Sequence, residues 1–273
     1  MDDARYTHGH HESVLRSHRW RTAENSAAYL LPLLAPGRSL LDVGCGPGTI
    51  TVDLASRVAP GPVVGVDRAT EALAEAGALL ADRPATNVRF EPGDISGLPF
   101  ADGTFDVVHA HQVLQHLADP VAALAEMGRV CRPGGIVAAR DGDYGGMTWY
   151  PADPTLDRWL AMYRAVARSN GGEPDAGRHL LAWARQADIG EVTPTASVWC
   201  YATPVDRAWW GGLWAERVTR SSVADQAVAL GAATVDDLDE MAEAWRRWSA
   251  SDDGWFSIVN GEVVCRVPST GQP

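Results

Sequence analysis

A glycine-rich segment that follows a short apolar run holds the residues best suited to binding a ligand. Residues 40–43 (LLDV) lead directly into residues 44–48 (GCGPG). Glycine adopts backbone angles that other residues resist, and its missing side chain lets a ligand lie against the main chain. The N–H groups at a helix start beside such a turn attract anionic or polar groups. The pattern therefore predicts a cofactor over residues 44–48, between a buried strand and a helix that begins at Pro47 or soon after.

The glycine spacing separates two kinds of cofactor. A dinucleotide site has the pattern G-x-G-x-x-G, in which the third glycine packs the helix on the strand. Gly44 and Gly46 fit this pattern, but Thr49 occupies the third glycine position. A second apolar run ends in Asp67, whose carboxylate can accept two hydrogen bonds from ribose hydroxyls. These residues predict a ribose-containing cofactor and disfavour a nicotinamide or flavin dinucleotide.

Histidine is the usual general base near neutral pH, and the histidines of this chain are grouped. His111 and His116 follow the fourth apolar run, and four others lie among the first 18 residues. His111 is the leading candidate for a catalytic base, with His10 and His11 behind it. A helix-start role for His111 and a loose polar arm around His10 and His11 remain the alternatives. His109 lies inside the run and is expected to be structural, and no metal site is predicted.

The segments that position these residues alternate between strand and helix patterns. Apolar runs at residues 63–67, 88–91, 105–110 and 136–140 follow the first strand. The alternation predicts an α/β fold with a doubly wound, mostly parallel sheet. A sixth strand is predicted at residues 192–201 and the last at 261–267, with further helices at 26–34 and from residue 178.

The motifs in this order resemble those of the class I S-adenosylmethionine (SAM)-dependent methyltransferases. The resemblance rests on the glycine turn behind Asp42, on Asp67, on residues 93–95 (GDI), and on residues 132–135 (RPGG) before the fifth strand. It covers roughly residues 38–143. It implies a Rossmann-like, seven-stranded sheet, with SAM as cofactor and S-adenosyl-L-homocysteine as product.

The resemblance also implies roles for single residues. The glycine turn is expected to support the methionine half of SAM, Asp94 to hold the adenine amino group, and Ile95 to pack on the ring. The chain's start resembles that of UbiE-like enzymes of this class, in which an arm folds over the cofactor, so Tyr6 and Arg21 are expected to touch the methionine moiety. The expected cofactor contacts are Tyr6, Arg21, Asp42, Gly44, Cys45, Gly46, Asp67, Arg68, Gly93, Asp94, Ile95, Ala110 and His111.

Tryptophan marks two segments outside this core, because ten of the eleven tryptophans fall between Trp149 and Trp255. Rings that only hold a cap on the sheet are one interpretation. Neighbouring rings at 209/210 and 245/248 are not expected all to face one core, so some are predicted to line an aromatic pocket. The predicted units are an N-terminal arm (1–37), the SAM-binding core (38–143), a helical cap insertion (144–175), a core helix and strand (176–203), a helical cap (204–254), and the last strand with a tail (255–273).

Bulk composition restricts location and partners. The chain has 273 residues and a net charge of −12, which disfavours a nucleic-acid substrate because phosphate binders usually present a basic face. Four widely spaced cysteines fit a reducing compartment. No apolar run reaches transmembrane length, and no signal peptide is predicted. We therefore expect a cytoplasmic protein with no membrane or nucleic-acid partner.

Together these features predict a SAM-dependent methyltransferase that acts on the oxygen or carbon of a small, partly apolar metabolite. A quinone precursor or polyketide-like aromatic is the leading idea, and N-methylation is the near rival. Two alternatives stay open. One is an NAD(P)-dependent oxidoreductase on a dinucleotide fold. The other is a SAM-binding protein without catalytic activity, because the motif residues account for binding alone.

Overall fold

The computed structural model describes residues 12–269, with side chains from residue 16 onward, and contains one seven-stranded sheet. The strands are β1 (Leu40–Val43), β2 (Val63–Asp67), β3 (Val88–Pro92), β4 (Phe105–His111), β5 (Cys131–Tyr150), β6 (Glu191–Tyr201) and β7 (Trp255–Arg266). Their order is β3-β2-β1-β4-β5-β7-β6. Strands β1 to β5 run parallel, whereas β7 runs antiparallel to both β5 and β6. The predicted α/β fold with a mostly parallel, doubly wound sheet is confirmed.

Helices cover both faces of this sheet. They are α1 (Glu12–Arg19), α2 (Ala23–Ser26), α3 (Thr49–Val58), α4 (Thr70–Asp82), α5 (Pro120–Val130), α6 (Pro154–Ser169), α7 (Ala176–Gln186), α8 (Pro204–Arg220), α9 (Ser222–Ala229) and α10 (Val235–Ala250). Side chains of α2 and α3 share one apolar core with β1 and β4, and those of α5 and α7 share another on the opposite face. Within residues 12–269, no helix combines the length and apolarity needed to cross a membrane.

A third apolar cluster joins α6, α8, α9 and α10 to the ends of β5, β6 and β7. Its centre is formed by Trp159, Trp214 and Trp245, none more than 1% exposed. The Trp159 ring lies 4.5 Å from that of Trp214 and 4.7 Å from that of Trp245, in edge-to-face contacts. Such contacts add stability to an aromatic core beyond the stability that comes from burying apolar surface. These three rings therefore have a packing role.

Strand β5 is longer than predicted, and residues 144–150 are strand rather than part of a helical insertion. The last three residues of β5 pair with Trp255, Phe256 and Ser257 of β7, beyond an irregularity between Asp143 and Thr148. The segment Thr148-Trp149-Tyr150 consists of β-branched and aromatic residues, which favour strands. Glycines at positions 145 and 146 interrupt the pattern, which is why the sequence did not reveal it. Strand β7 begins at Trp255, the predicted start of the last unit, and so extends before the strand predicted at residues 261–267.

The helix predicted at residues 26–34 is also wrong. Helix α2 begins at Ala23, because Thr22 and Asn25 form a reciprocal capping box at its start. It ends at Ser26. Proline has no N–H to donate to a helix, and only a single 3₁₀ turn, Leu31–Leu33, forms around Pro32.

Candidate active site

A cavity of about 650 Å³ opens at the edge of the sheet where β1 to β4 end. In open α/β sheets, ligands bind beyond the carboxyl ends of the strands. Gly44 follows β1, Asp67 ends β2, Asp94 follows β3, and His111 ends β4, and all four line the cavity. Parallel pairing thus brings together residues that are far apart in the sequence.

The turn after β1 requires glycine for two separate reasons. Gly44, Gly46 and Gly48 have φ angles of +67°, +54° and +79°, a left-handed conformation that side-chain-bearing residues resist. In addition, a Cβ atom on Gly44 would lie 2.4 Å from Cγ2 of Val113, which follows β4. The turn therefore lies against the β4 loop at a distance that only glycine permits.

The N–H groups of this turn are used within the protein. Gly44 and Cys45 donate to the Val66 carbonyl at 2.8 and 3.0 Å, and Gly48 donates to the Cys45 carbonyl at 3.0 Å. Gly46 donates to Oδ2 of Asp67 at 2.9 Å. These four N–H groups are therefore not available to a phosphate, which disfavours the contribution that a glycine turn makes to a dinucleotide site.

Asp42 holds the turn from beneath. Its Oδ2 accepts a hydrogen bond from the Thr51 hydroxyl of α3 at 2.5 Å, and its Oδ1 lies 2.8 Å from Nδ1 of His109 on β4. Asp42 is 3% exposed and His109 is fully buried. The structural role predicted for His109 is confirmed, and Asp42 ties the turn's strand to its neighbours.

Two carboxylates, one at the end of β2 and one after β3, can still accept hydrogen bonds from a ligand. Oδ1 of Asp67 accepts from the Ala69 N–H at 2.9 Å, so each Asp67 oxygen carries one protein bond and keeps a second lone pair. Oδ1 of Asp94 accepts both the N–H and the hydroxyl of Ser96, at 2.8 and 2.7 Å. The Ser96 N–H bond holds the pKa of Asp94 below its usual value. Asp94 is therefore an anion at neutral pH.

Replacing Asp67 with alanine is expected to weaken SAM binding by about 1–3 kcal/mol, because the half-buried acceptors for the ribose are lost together with the Gly46 contact. Calorimetric titration measures the change. Asp252→Ala removes the same charge from a fully exposed position outside the cavity and is expected to bind SAM normally. Unchanged affinity in Asp67→Ala would show that Asp67 does not hold the ribose.

His111 is 5% exposed and lines the cavity. Among the described residues, neither of its ring nitrogens has a hydrogen-bond partner. Burial, reinforced by the positive charges of Arg21 and Arg140, holds the pKa of His111 well below its ordinary value. The ring is therefore neutral at pH 7 and keeps one nitrogen lone pair. It can accept a hydrogen bond or a proton from a ligand in the cavity.

One side of the cavity is aromatic. This aromatic wall consists of Trp20, Trp199, Tyr201, Trp209 and Trp210. The Trp20 ring lies between 5.3 and 5.8 Å from those of Trp199, Tyr201 and Trp209. The wall joins the turn after α1 to β6 and α8, three segments distant in sequence.

Trp199 is held in the wall by a hydrogen bond and a cation–π contact. Its Nε1 donates to the Asn25 carbonyl at 2.6 Å, and the Arg140 guanidinium lies 4.5 Å from its centroid. Arg140 itself is held by Glu262 and Ser197. The His111 ring meets Trp199 edge to face at 5.8 Å, so the wall and the candidate base are in contact.

The expectation about neighbouring tryptophans is wrong in part. Trp210, Trp245 and Trp248 are all buried in the third apolar cluster, which joins α6, α8, α9 and α10 to the sheet, and Trp209 packs against it. These rings therefore do share one core. The cluster extends to the cavity, and a ring as large as that of Trp210 can contact both. Trp209 and Trp210 therefore line the cavity as well.

The cavity contains most of the predicted cofactor contacts. Those that line it are Arg21, Asp42, Gly44, Cys45, Gly46, Asp67, Arg68, Gly93, Asp94, Ile95 and His111. Ala110 does not line it and is fully buried, because successive strand residues point to opposite faces and Ala110 faces the α5 side. Tyr6, His10 and His11 lie outside the described residues. Burial raises the pKa of the Cys45 thiol far above its ordinary value, so it stays protonated.

Several cavity residues were not predicted from the sequence. Arg21 donates to Oε1 of Gln112, and Gln112 has a left-handed φ of +53° at the end of β4. His116, whose pKa burial lowers to about 3, lies 3.0 Å from Nε2 of Gln115. The remaining unpredicted lining residues include Ser17, His18, Tyr144, Trp199, Tyr201, Arg217 and Ile258. Ser17 and His18 belong to the start of the chain, and the others come from segments without any recognisable motif.

Comparisons with known proteins agree with this geometry. The family model for a methyltransferase domain matches residues 34–195. An uncharacterized methyltransferase of Schizosaccharomyces pombe is 37% identical, with 96% of each chain aligned. The demethylmenaquinone methyltransferase of Parafrankia sp. is 34% identical over 65% of this chain and 74% of its own. The solved phosphoethanolamine N-methyltransferase 2 of Haemonchus contortus superposes with a TM-score of 0.57 at 19% identity, covering 90% of this chain and 53% of that one. The chain therefore belongs to the methyltransferase-domain family and has the fold of the class I SAM-dependent methyltransferases.

Proposed function

We propose that this SAM-dependent methyltransferase transfers the methyl group to an oxygen or carbon atom of a small, partly apolar metabolite. N-methylation is the near rival. The observation that carries the proposal is a single cavity with two unlike sides. Carboxylates and the glycine turn form the cofactor side, and the aromatic wall forms the other. SAM placed on the first side would present its methyl group to an acceptor on the second.

The chemistry needs few protein groups. The methyl on a sulfonium is already activated, so alignment with the attacking atom and exclusion of water supply much of the rate enhancement. A phenol, alcohol or acidic carbon must also lose a proton, and a base typically contributes about 10²–10⁴-fold. His111, which is neutral and has no partner among the described residues, would take that proton. His10 and His11 stay predictions.

The contacts proposed for the cofactor follow from the same geometry. Asp67 would accept the ribose hydroxyls and Asp94 the adenine amino group, with Ile95 against the ring. Arg21, which lines the cavity beside Gln112, would pair with the methionine carboxylate, since guanidinium–carboxylate pairs are strong. A cytoplasmic location without a nucleic-acid partner belongs to the same proposal and is supported by the net charge of −12 and the scattered cysteines.

A screen with methyl-labelled SAM against phenols, amines and enolisable carbons tests this function. Label is expected in the phenol or enolisable-carbon products. Label confined to amines would favour the N-methylation rival. SAM binding without label in any product, across acceptors that enter the cavity, would support the remaining alternative of a SAM-binding protein without catalytic activity.

A further inference from the structure

The two sides of the cavity differ in charge. Every described carboxylate that lines it belongs to β1, to α4 or to the segments at the ends of β2 and β3, namely Asp42, Asp67, Glu71, Glu75 and Asp94. On the other side, α8 contributes Arg217, whereas Arg68 lies among the carboxylates and Arg21 is the proposed partner of the methionine carboxylate of SAM. Among the described residues of α1, β6 and α8 that line the cavity, none carries a carboxylate. The acceptor side thus combines aromatic rings with positive charge.

Arg217 is held firmly in this position. It is 4% exposed, its Nη2 donates to the Ser17 hydroxyl at 3.1 Å, and its guanidinium lies 4.8 Å from the centroid of Trp214. Trp210, Trp214 and Arg217 are spaced to lie on one face of α8. A guanidinium stacked on an aromatic ring is suited to hold a planar oxyanion.

Two hydrogen-bond donors accompany it on the wall. Tyr201 and Trp210 stack with ring centroids 4.4 Å apart and planes 6° from parallel. Both are at least 95% buried, and neither the Tyr201 hydroxyl nor the Trp210 Nε1–H has a partner among the described residues. A buried polar atom without a partner is unfavourable, and buried Tyr and Trp usually find one. The indoles of Trp159 and Trp245 also lack a described hydrogen-bond partner, but they do not line the cavity. An indole N–H can only donate, so a ligand group that completes the Tyr201–Trp210 pair would be an acceptor.

We propose that the methyl acceptor carries an oxyanion, a carboxylate or phenolate, on a flat ring, and that Arg217, Tyr201 and Trp210 are its specificity-determining residues. The inference rests on the proposed function and adds the acceptor's chemical class. The ring packs on the aromatic wall, Arg217 supplies the counter-charge, and Tyr201 and Trp210 donate to oxygen. Neutral and cationic molecules of the same shape are discriminated against.

Three probes of similar shape test this with the enzyme first saturated with S-adenosyl-L-homocysteine. They are 4-nitrobenzoate, its neutral counterpart 4-nitrobenzamide, and 4-nitrophenolate at a pH at which the phenol is ionised. Binding is followed by calorimetry and by quenching of tryptophan fluorescence. The benzoate is expected to bind at least ~10-fold more tightly than the amide. In Arg217→Met this preference is expected to fall to about 1-fold, whereas Arg217→Lys keeps part of it.

Tyr201→Phe gives a second, independent test that does not depend on the folding of the arginine variants. It is expected to weaken benzoate binding by about 5–10-fold, with a melting temperature unchanged or higher, because the lost hydroxyl has no described partner. Tyr29→Phe is the matched control. Its hydroxyl is also buried without a described partner, but it does not line the cavity, so probe affinity is expected to stay unchanged.

Equal affinity for benzoate and amide, or binding of neither, overturns the inference. So does a charge preference that survives in Arg217→Met, which would leave Arg217 a packing role only. Tighter binding of the benzoate than of the phenolate identifies a carboxylate, and the reverse order a phenolate. A wild-type enzyme that binds S-adenosyl-L-homocysteine and transfers methyl normally, but does not prefer the benzoate to the amide, would contradict this inference alone. Absence of methyl transfer to every acceptor would contradict the proposed function.

Discussion

Replacing His111 with alanine is expected to lower turnover by ~10²-fold or more while SAM affinity changes little. The ring lines the cavity, contacts Trp199 of the aromatic wall, and has a free nitrogen lone pair at neutral pH. Its removal takes away the proton acceptor without touching the glycine turn. Single-turnover measurement of methyl transfer, with calorimetry for SAM, separates the two effects.

The pH dependence of the methyl-transfer rate gives a second test of His111 as the base. Because burial and two arginines hold the His111 pKa well below 6.5, the wild-type rate is expected to stay level through neutral pH. It is expected to fall only at lower pH, where the ring gains a proton and ceases to be a base. This acid limb is expected to disappear in His111→Ala.

A matched variant distinguishes a base from a hydrogen-bonding group. His111→Gln retains a polar side chain that can accept a hydrogen bond but takes up no proton near neutral pH. Turnover as low as that of the alanine variant supports a base. Turnover restored by glutamine would contradict the role of His111 as a base and leave it as a positioning residue, with alignment supplying the rate enhancement.

Gly44→Ala is expected to weaken SAM binding by about 100-fold or more. The new methyl group would lie 2.4 Å from Val113 and would occupy a left-handed backbone conformation. Relief requires the Val113 side chain or the turn itself to shift, and both residues line the cavity. Calorimetric titration with SAM measures the loss.

Gly37→Ala serves as the control for backbone strain. Gly37 also has a left-handed φ, +88°, but a Cβ atom there meets nothing within 4 Å, and the residue does not line the cavity. The variant is expected to lose about 1–2 kcal/mol of stability and to bind SAM like the wild type. Wild-type SAM affinity in Gly44→Ala would contradict the view that the cofactor depends on this close contact.

Features encoded by local pattern could be predicted from the sequence. The first five strands each carry an apolar run, and the acids and glycines at their ends mark one edge of a parallel sheet. Asp67 and His111 could be assigned to one site before any coordinates because parallel strands end at the same edge. The motif alone could not exclude Ala110 from the predicted cofactor contacts. The alternation of side chains along β4 places it on the face that packs against α5, away from the cavity.

Only part of the acceptor side could be predicted. The tryptophan-rich segments indicated an aromatic pocket, but the individual rings could not be named, because tertiary contacts bring them together. Trp20, Trp199 and Trp210 come from three segments, each without a motif, and they meet only when β6 and β7 complete the sheet and α8 packs across its end. Arg217 offered one signal, since it follows Trp210 and Trp214 at helical spacing. A buried arginine on an apolar helix face is a reason to look for a ligand or partner.

Calorimetric titration of two samples of one enzyme preparation, one with SAM and one with NADH, tests the central claim most directly. The claim is that the cavity holds SAM over a turn whose N–H groups are already bonded to Val66, Asp67 and Cys45. SAM is expected to bind one site per chain, more weakly in Asp67→Ala, and NADH is expected to give no binding heat. Tight binding of NADH with none of SAM would contradict the account.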